Sequence, residues 1–127
     1  MKVSFDENNV MTIILQGRLD ASNAAETGIE MMNDISNASP KEIIFDFLSL
    51  EYISSMGLRE MLKIKKEFSD IPISIINVNN TVYDIFDATG FIDYFMLYKV
   101  GEEFGSKVNH RFGKKLDGVS VKLGYFE

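Results

Sequence analysis

Short apolar runs alternate with amphipathic stretches through residues 2–100, and this alternation constrains the fold more than any other feature of the sequence. Runs rich in β-branched and aromatic residues predict strands, and the stretches between them place apolar residues at the spacing of a helix face. The predicted strands are 2–5, 10–15, 42–47, 71–78 and 95–100, with three helices in the intervals after residue 15. Parallel neighbouring strands need a crossover connection, so the order β-β-α-β-α-β-α-β predicts an α/β domain with crossover helices.

The predicted helix starts carry residues that commonly cap helices. Asn23 followed by Glu26 resembles a capping pair and predicts a first helix over residues 24–37. Its buried face is expected to comprise Ala25, Ile29, Met32 and Ile35. The other expected N-caps are Ser54 or Ser55 for the second helix and Asn80 or Thr81 for the third.

Composition excludes several classes of function. The 127 residues include no cysteine and one histidine, His110, which excludes disulfides, a cysteine nucleophile, and zinc sites built from thiolates or several histidines. The formal net charge of −6 argues against general nucleic-acid binding. No apolar run approaches the ~20 residues of a membrane-spanning helix, so a soluble cytoplasmic protein that binds no membrane and no cofactor is expected.

Charge is distributed unevenly between the body of the chain and its C-terminal end. Residues 1–103 carry 8 Lys/Arg and 17 Asp/Glu, a net charge of −9, whereas residues 104–127 carry 5 and 2, a net charge of +3. We therefore predict a domain over residues 1–100 and a basic, glycine-containing extension over residues 101–127. The extension could fold back on the acidic body, or pair as an edge strand with a second chain and so form a homodimer.

Sequence templates for catalysis are mostly missing. The chain has no Walker A motif, no G-x-G-x-x-G and no G-x-S-x-G nucleophile elbow. A Ser-His-Asp triad would need His110, and an ordinary surface histidine is favoured there by roughly ten to one. The chain is therefore predicted not to be an enzyme, and a small hydrolase using Ser55 or another serine with His110 is a minor alternative.

Two strand-to-helix loops hold the candidate site. They comprise residues 17–23 and 52–59. In a parallel sheet such loops gather at the C-terminal edge of the strands, where ligands and partners usually bind, so Asp20 and Ser55 are expected to be neighbours. The same residue types are common caps, and spacing alone favours a structural role by about three to one.

Longer motifs in the same regions resemble a known family. They are G-R-L-D-A-S-N-A over 17–24, I-F-D-F over 44–47, L-E-Y-I-S-S-M-G-L-R over 50–59, I-N-V over 76–78, and I-F followed by T-G-F over 85–91. Together they resemble the STAS domain, and more narrowly the bacterial anti-sigma factor antagonists, from about Val10 to Tyr98. The segment around Ser55 is the specific part. The resemblance implies a mixed sheet with helices on one side.

The resemblance also implies regulation by partner switching. An unphosphorylated antagonist of this type binds an anti-sigma factor that is also its serine kinase, which frees a sigma factor for transcription. Phosphorylation at the start of the second helix ends the binding, and a serine phosphatase restores it. By position, the phosphoacceptor is Ser55, with the adjacent Ser54 as the alternative. The implied partner-binding surface comprises Asp20, Ser22, Asn23, Ser54, Met56, Gly57, Leu58 and Arg59.

A phosphate on Ser55 is expected to change the surface rather than the fold. It adds about −1.5 to −2 charge, and its oxygens are expected to accept from N–H groups near Met56, Gly57 and Leu58 at the helix N-terminus. The alternative within the same fold is a docking or nucleotide-sensing module that is not phosphorylated. Met56 stands where this family usually has a small residue, so it could change the choice of partner or mark a member that is not phosphorylated.

Overall fold

The computed structural model describes residues 1–102, and the remaining residues, which include His110 and most of the expected extension, lie outside the described part. The strands are β1 (Lys2–Phe5), β2 (Val10–Leu19), β3 (Glu42–Ile53), β4 (Ile73–Val78) and β5 (Met96–Lys99). The helices are α1 (Ala24–Ala38), α2 (Ser55–Glu67) and α3 (Asn80–Thr89), and a 3-10 helix (Phe91–Tyr94) precedes β5. None of these helices is long and apolar enough to cross a membrane.

The strands form one sheet in the order β1-β2-β3-β4-β5. β1 is antiparallel to β2, and the other neighbouring pairs are parallel. Each parallel pair is joined through a helix, because parallel neighbouring strands need a crossover connection. The predicted order of elements and the predicted fold class are therefore confirmed.

The hydrophobic core lies on one face of the sheet. Along β2 and β3 alternate side chains are fully or almost fully buried, whereas their neighbours on the opposite face are partly exposed. Buried residues of all three helices join this single cluster, so the helices cover one side of the sheet, as the resemblance implied. The members that β2 and β3 contribute from their first halves are Met11, Ile13, Leu15, Ile43, Phe45 and Phe47.

The central strands are longer than the sequence pattern predicted. Gly17 has a φ of 73° and was expected to end β2, but the strand continues to Leu19 through two shifts of register against β3. Bulges of this kind bend a strand without ending its ladder, and apolar alternation does not reveal them. β4 begins at Ile73, later than predicted, because Pro72 has no N–H to donate to a ladder. The 3-10 helix was not predicted.

The predicted buried face of α1 is correct at Ile35 and wrong by one residue at its other three positions. The buried positions are Ala24, Gly28, Met31 and Ile35, whereas Ala25 is exposed and Ile29 is 64% exposed. A Cβ at Gly28 would overlap the carboxylate of Glu60 on α2. The helix therefore turns its glycine, rather than Ile29, toward the neighbouring helix, and α1 and α2 approach closely at that point.

Candidate partner-binding site

The loops after β2 and β3 lie side by side at the C-terminal edge of the sheet. Leu19 and Ile53 are the last paired residues of these two parallel strands. The N–H of Ser54 donates to the Leu19 carbonyl at 2.9 Å, which extends the pairing into the loops. Asp20 and Ser54 thus follow directly from paired positions, and the structure brings together the two segments that the sequence placed at one edge.

Asp20 organises the loop after β2. Its Oδ1 accepts from the Ser22 N–H at 3.0 Å and from the Ser22 hydroxyl at 2.7 Å. Its main-chain carbonyl accepts from the Ala24 N–H at 2.8 Å. The two hydrogen bonds from Ser22, the hydroxyl first and then the N–H, lower the pKa of the Asp20 carboxyl, and the nearby Arg18 guanidinium adds to the effect. Asp20 is therefore a carboxylate at neutral pH.

Asn23 is the N-cap residue of α1, but the predicted capping pair is wrong. The Asn23 side chain makes no hydrogen bond to the first turn of the helix. Its Oδ1 instead accepts from the Asp20 N–H at 2.9 Å, and its Nδ2 donates to the Arg18 carbonyl at 2.8 Å. The amide therefore closes the loop backward onto the end of β2.

Arg18 joins the two loops through its side chain, a contact that sequence reasoning missed. The guanidinium carbon lies 4.3 Å from the centroid of the Tyr52 ring on β3, and Arg18 Nε lies 3.4 Å from Asp20 Oδ2. A cation over an aromatic face at this distance is weakly attractive at an exposed site. Arg18 and Tyr52 are cross-strand partners in the ladder, but their register follows two bulges that the sequence pattern does not reveal, so no sequence signal pointed to this contact.

The two adjacent serines have different environments. Ser54 is the N-cap of α2, is half-buried, and its hydroxyl accepts from the Gly57 N–H at 3.3 Å. Ser55 is the first residue of α2 and is exposed. Within residues 1–102 the Ser55 hydroxyl makes no hydrogen bond. The expectation that Ser54 or Ser55 caps α2 is thus resolved in favour of Ser54.

Gly57 and Leu58 lie beneath the surface rather than on it. Leu58 is 1% exposed and belongs to the core. A Cβ at Gly57 would lie 2.8 Å from both the Leu19 carbonyl oxygen and Ile53 Cγ1, so the close approach of α2 to the strand ends requires glycine there. These two residues support the site, and their side chains cannot contribute to a contact surface.

The remaining expected surface residues are accessible. Ser22 and Arg59 are exposed, and Met56 is 40% exposed. Leu48 on β3 is 63% exposed, which the apolar pattern did not predict, but it lies five residues before the end of that strand. The two loops therefore present hydroxyl groups, charged groups and the apolar Met56 side chain together, a mixed composition that is common in protein-binding surfaces.

A third loop at the same edge is held by asparagine. Asn79, rather than the expected Asn80 or Thr81, is the N-cap of α3, because its Oδ1 accepts from the Val82 N–H at 2.8 Å. Its Nδ2 donates to the Leu50 carbonyl at 2.9 Å. The start of α3 is thereby fixed against the second half of β3, next to the strand end that leads to Ser54.

Comparison with known proteins identifies relatives of the same kind. Residues 5–104 match the family model for the STAS domain. A candidate anti-sigma factor antagonist, BtrV of Bordetella bronchiseptica, is 28% identical over 98 residues, which cover 75% of this chain and 84% of that protein.

Solved structures share the fold. An anti-sigma factor antagonist from Mycobacterium paratuberculosis superposes with a TM-score of 0.68 at 18% identity, covering 76% of this chain and 82% of that chain. The anti-sigma factor antagonist SpoIIAA in its unphosphorylated form gives a TM-score of 0.64 at 18% identity, covering 93% of this chain and 96% of that chain. At these identities the likeness supports the fold.

Proposed function

Because this chain belongs to the STAS domain family, we propose that it is an anti-sigma factor antagonist whose binding is switched off by phosphorylation of Ser55. The partner would be an anti-sigma factor that is also a serine kinase, and a phosphatase would restore the unmodified form. Sequence similarity to BtrV supports the class of function. The fold is also that of SpoIIAA, which is described in its unphosphorylated form.

The exposed hydroxyl of Ser55 carries the proposal. A kinase needs a substrate hydroxyl that is accessible at the protein surface and can enter the kinase's active site. Ser55 offers such a group on the first turn of α2, whereas the Ser54 hydroxyl is half-buried and accepts from the Gly57 N–H. Modification of Ser54 would first have to break the N-cap of α2, at a cost of about 1 kcal/mol.

The same position explains why a phosphate would be tolerated by the fold. The N–H of Gly57 already donates to Ser54 Oγ and the N–H of Leu58 to the Ser54 carbonyl, so these expected phosphate donors are occupied. The N–H groups of Ser55 and Met56 open the helix and have no acceptor within residues 1–102. A phosphate on Ser55 would meet these groups and the positive end of the helix dipole.

Although the fold would tolerate the phosphate, binding of a partner would be disfavoured by it. The phosphate adds about −1.5 to −2 charge to an edge that already carries the ionised Asp20. A partner surface that covers the edge would then bury an unpaired charge, which costs several kcal/mol. Binding would be lost although the antagonist stays folded.

Asp20 would act in both states of the switch. Its fixed carboxylate lies in the loop beside the acceptor loop, where it could orient the kinase's metal and phosphate during transfer. After transfer it would add to the negative charge that repels the partner. Asp20 would thus be a positioning residue of the proposed reaction, acting on the kinase's groups.

The test uses two matched variants. The protein, Ser54→Ala and Ser55→Ala are incubated with the cognate anti-sigma kinase and ATP, and modified sites are mapped by mass spectrometry. We expect the protein and Ser54→Ala to be phosphorylated at residue 55, and Ser55→Ala to stay unmodified. Phosphate on Ser54 alone would identify Ser54, and not Ser55, as the acceptor. Phosphate on neither serine in an active kinase assay would favour the docking module that is not phosphorylated.

A further inference from the structure

β1 is a lateral edge strand of the sheet. Among residues 1–102 it pairs with β2 alone. Phe5 is 51% exposed although it lies opposite Met11, on the face that carries the core. A shallow groove runs beside it between β1 and the end of α1, and it is lined by Val3, Phe5, Met11, Asp34, Asn37 and Ala38.

β5 forms the other lateral edge of the sheet and is better protected against pairing with an added strand. On β5, Tyr98 is 2% exposed. The Lys99 ammonium lies 4.3 Å from the centroid of the Tyr83 ring, and the Lys99 N–H donates to a Glu102 carboxylate oxygen. Charged side chains and a turn of this kind discourage pairing at an edge. An additional strand is therefore more readily accepted at β1.

The hydrogen bonds of β1 determine which groups face outward. The Asp6 N–H donates to the Val10 carbonyl at 3.2 Å. Because successive residues of an antiparallel strand point their backbone groups to opposite sides, Lys2 and Ser4 also face β2. The N–H and C=O groups of Val3 and Phe5 therefore point away from the sheet, toward any added strand.

We propose that β1 pairs antiparallel with β1 of a second copy of this chain, with Val3 of each copy opposite Phe5 of the other. This register satisfies the outward N–H and C=O groups of Val3 and Phe5 in both copies. It also pairs two apolar side chains on the core face, over the groove. The result is a two-fold symmetric dimer with a continuous ten-stranded sheet.

Charge complementarity selects this register. With Val3 opposite Phe5, Lys2 of each copy lies opposite Asp6 of the other on the uncovered face, which gives two cross-strand pairs of opposite charge. A register shifted by two residues in either direction places Lys2 opposite Ser4 or Asn8 and loses both pairs.

The proposed dimer leaves the candidate site accessible. β1 pairs with Met11–Ile14 of β2, whereas the site follows Leu19 at the end of that strand. The dimer therefore presents two copies of the site at opposite ends of one sheet. It does not depend on the proposed function, and loss of phosphorylation would leave it intact.

The test measures self-association of the full chain by sedimentation equilibrium, from micromolar to millimolar concentration at low ionic strength. Lys2→Glu places like charges opposite each other twice and is expected to raise the dimer dissociation constant roughly tenfold or more. Lys2→Glu/Asp6→Asn removes the repulsion and is expected to recover part of the loss. The asparagine keeps an oxygen for the N–H groups of Asn8 and Val10, which now donate to Asp6 Oδ1. Lys66→Glu, an exposed charge reversal on α2, is the matched control and is expected to dimerise like the unmodified chain.

Hydrogen exchange locates the interface. In the dimer, the amides of Val3 and Phe5 are expected to gain protection, whereas those of Lys2 and Ser4 are protected at every concentration. A protein that stays monomeric at millimolar concentration would overturn the proposal. So would a Lys2→Glu variant that dimerises as well as Lys66→Glu, or protection that rises elsewhere but not at Val3 and Phe5.

Discussion

The loop after β2 and the loop after β3 reach the same edge of the sheet, yet they use their polar side chains differently. In the first, Asp20, Ser22 and Asn23 hydrogen-bond to one another or to nearby backbone. In the second, Ser54 caps the helix and Ser55 stays exposed. The first loop is a charged, internally hydrogen-bonded support, and the second presents an exposed hydroxyl.

The difference separates residues that hold the site from those that could act in it. Short polar side chains are common at helix starts for structural reasons, so their presence alone says little about function. At this edge, Asn23 and Ser54 are accounted for by their hydrogen bonds. Within residues 1–102 the Ser55 side chain makes no hydrogen bond, and this makes Ser55 the candidate for modification.

Substitution of Gly57 should have the largest effect on stability, because it disturbs both loops at once. A Cβ there would press on the Leu19 carbonyl and Ile53, which join the two loops. We expect Gly57→Ala to lower the free energy of unfolding by about 1–3 kcal/mol, as overpacking does. Chemical denaturation checks this, with Ser55→Ala as the control at an exposed position of the same turn. Equal stability of the two variants would show that α2 can move away from the strand ends without loss.

Removal of the Asn23 side-chain amide should destabilise the loop after β2 and leave the loop after β3 unchanged. Asn23→Ala removes hydrogen bonds to the Asp20 N–H and the Arg18 carbonyl, so we expect a loss of about 1–2 kcal/mol in the free energy of unfolding. In heteronuclear NMR spectra the amide shifts of residues 18–22 should change, whereas those of Ser55 and Met56 should change little. Shifts as large in the second loop as in the first would show that the two are not independent.

Ionisation of Asp20 should have the smallest effect on the free energy of unfolding. Because its pKa is lowered in the folded state, the ionised form contributes stability that is complete above the unfolded pKa of about 3.9 and is lost as pH falls through the folded pKa. The stability difference between the protein and Asp20→Asn should thus be constant near neutral pH and shrink below about pH 4. NMR titration of Ser22→Ala should show the Asp20 pKa moving up, and an unchanged pKa would contradict the role given to Ser22.

The fold was largely predictable from the sequence because strands and helices alternate with clear periodicity. The errors have local physical causes. The face of α1 was misjudged because Gly28, with no side chain, allows Glu60 to approach, while the apolar Ile29 stays exposed. The extension of β2 past Gly17 depends on bulges against β3, which involve a partner distant in sequence.

The site was predictable in its place but not in its hydrogen bonds. Parallel strand ends meet at one edge, so the proximity of the Asp20 and Ser55 loops followed from the order of elements. An asparagine can cap the following helix or bond backward, and only the observed loop shows that Asn23 does the latter. The choice of Ser54 as the cap likewise depended on the observed start of α2.

The most direct test of the proposed switch compares the affinity of unmodified and Ser55-phosphorylated protein for the proposed anti-sigma kinase by calorimetry, with thermal unfolding of both forms. We predict that phosphorylation weakens binding by about 100-fold or more, roughly 3 kcal/mol, because a charge would be buried without a partner. The melting temperature should stay nearly unchanged, because the phosphate meets free N–H groups at the start of α2. Equal affinity of the two forms, or a phosphorylated form that is unfolded, would contradict the proposed switch.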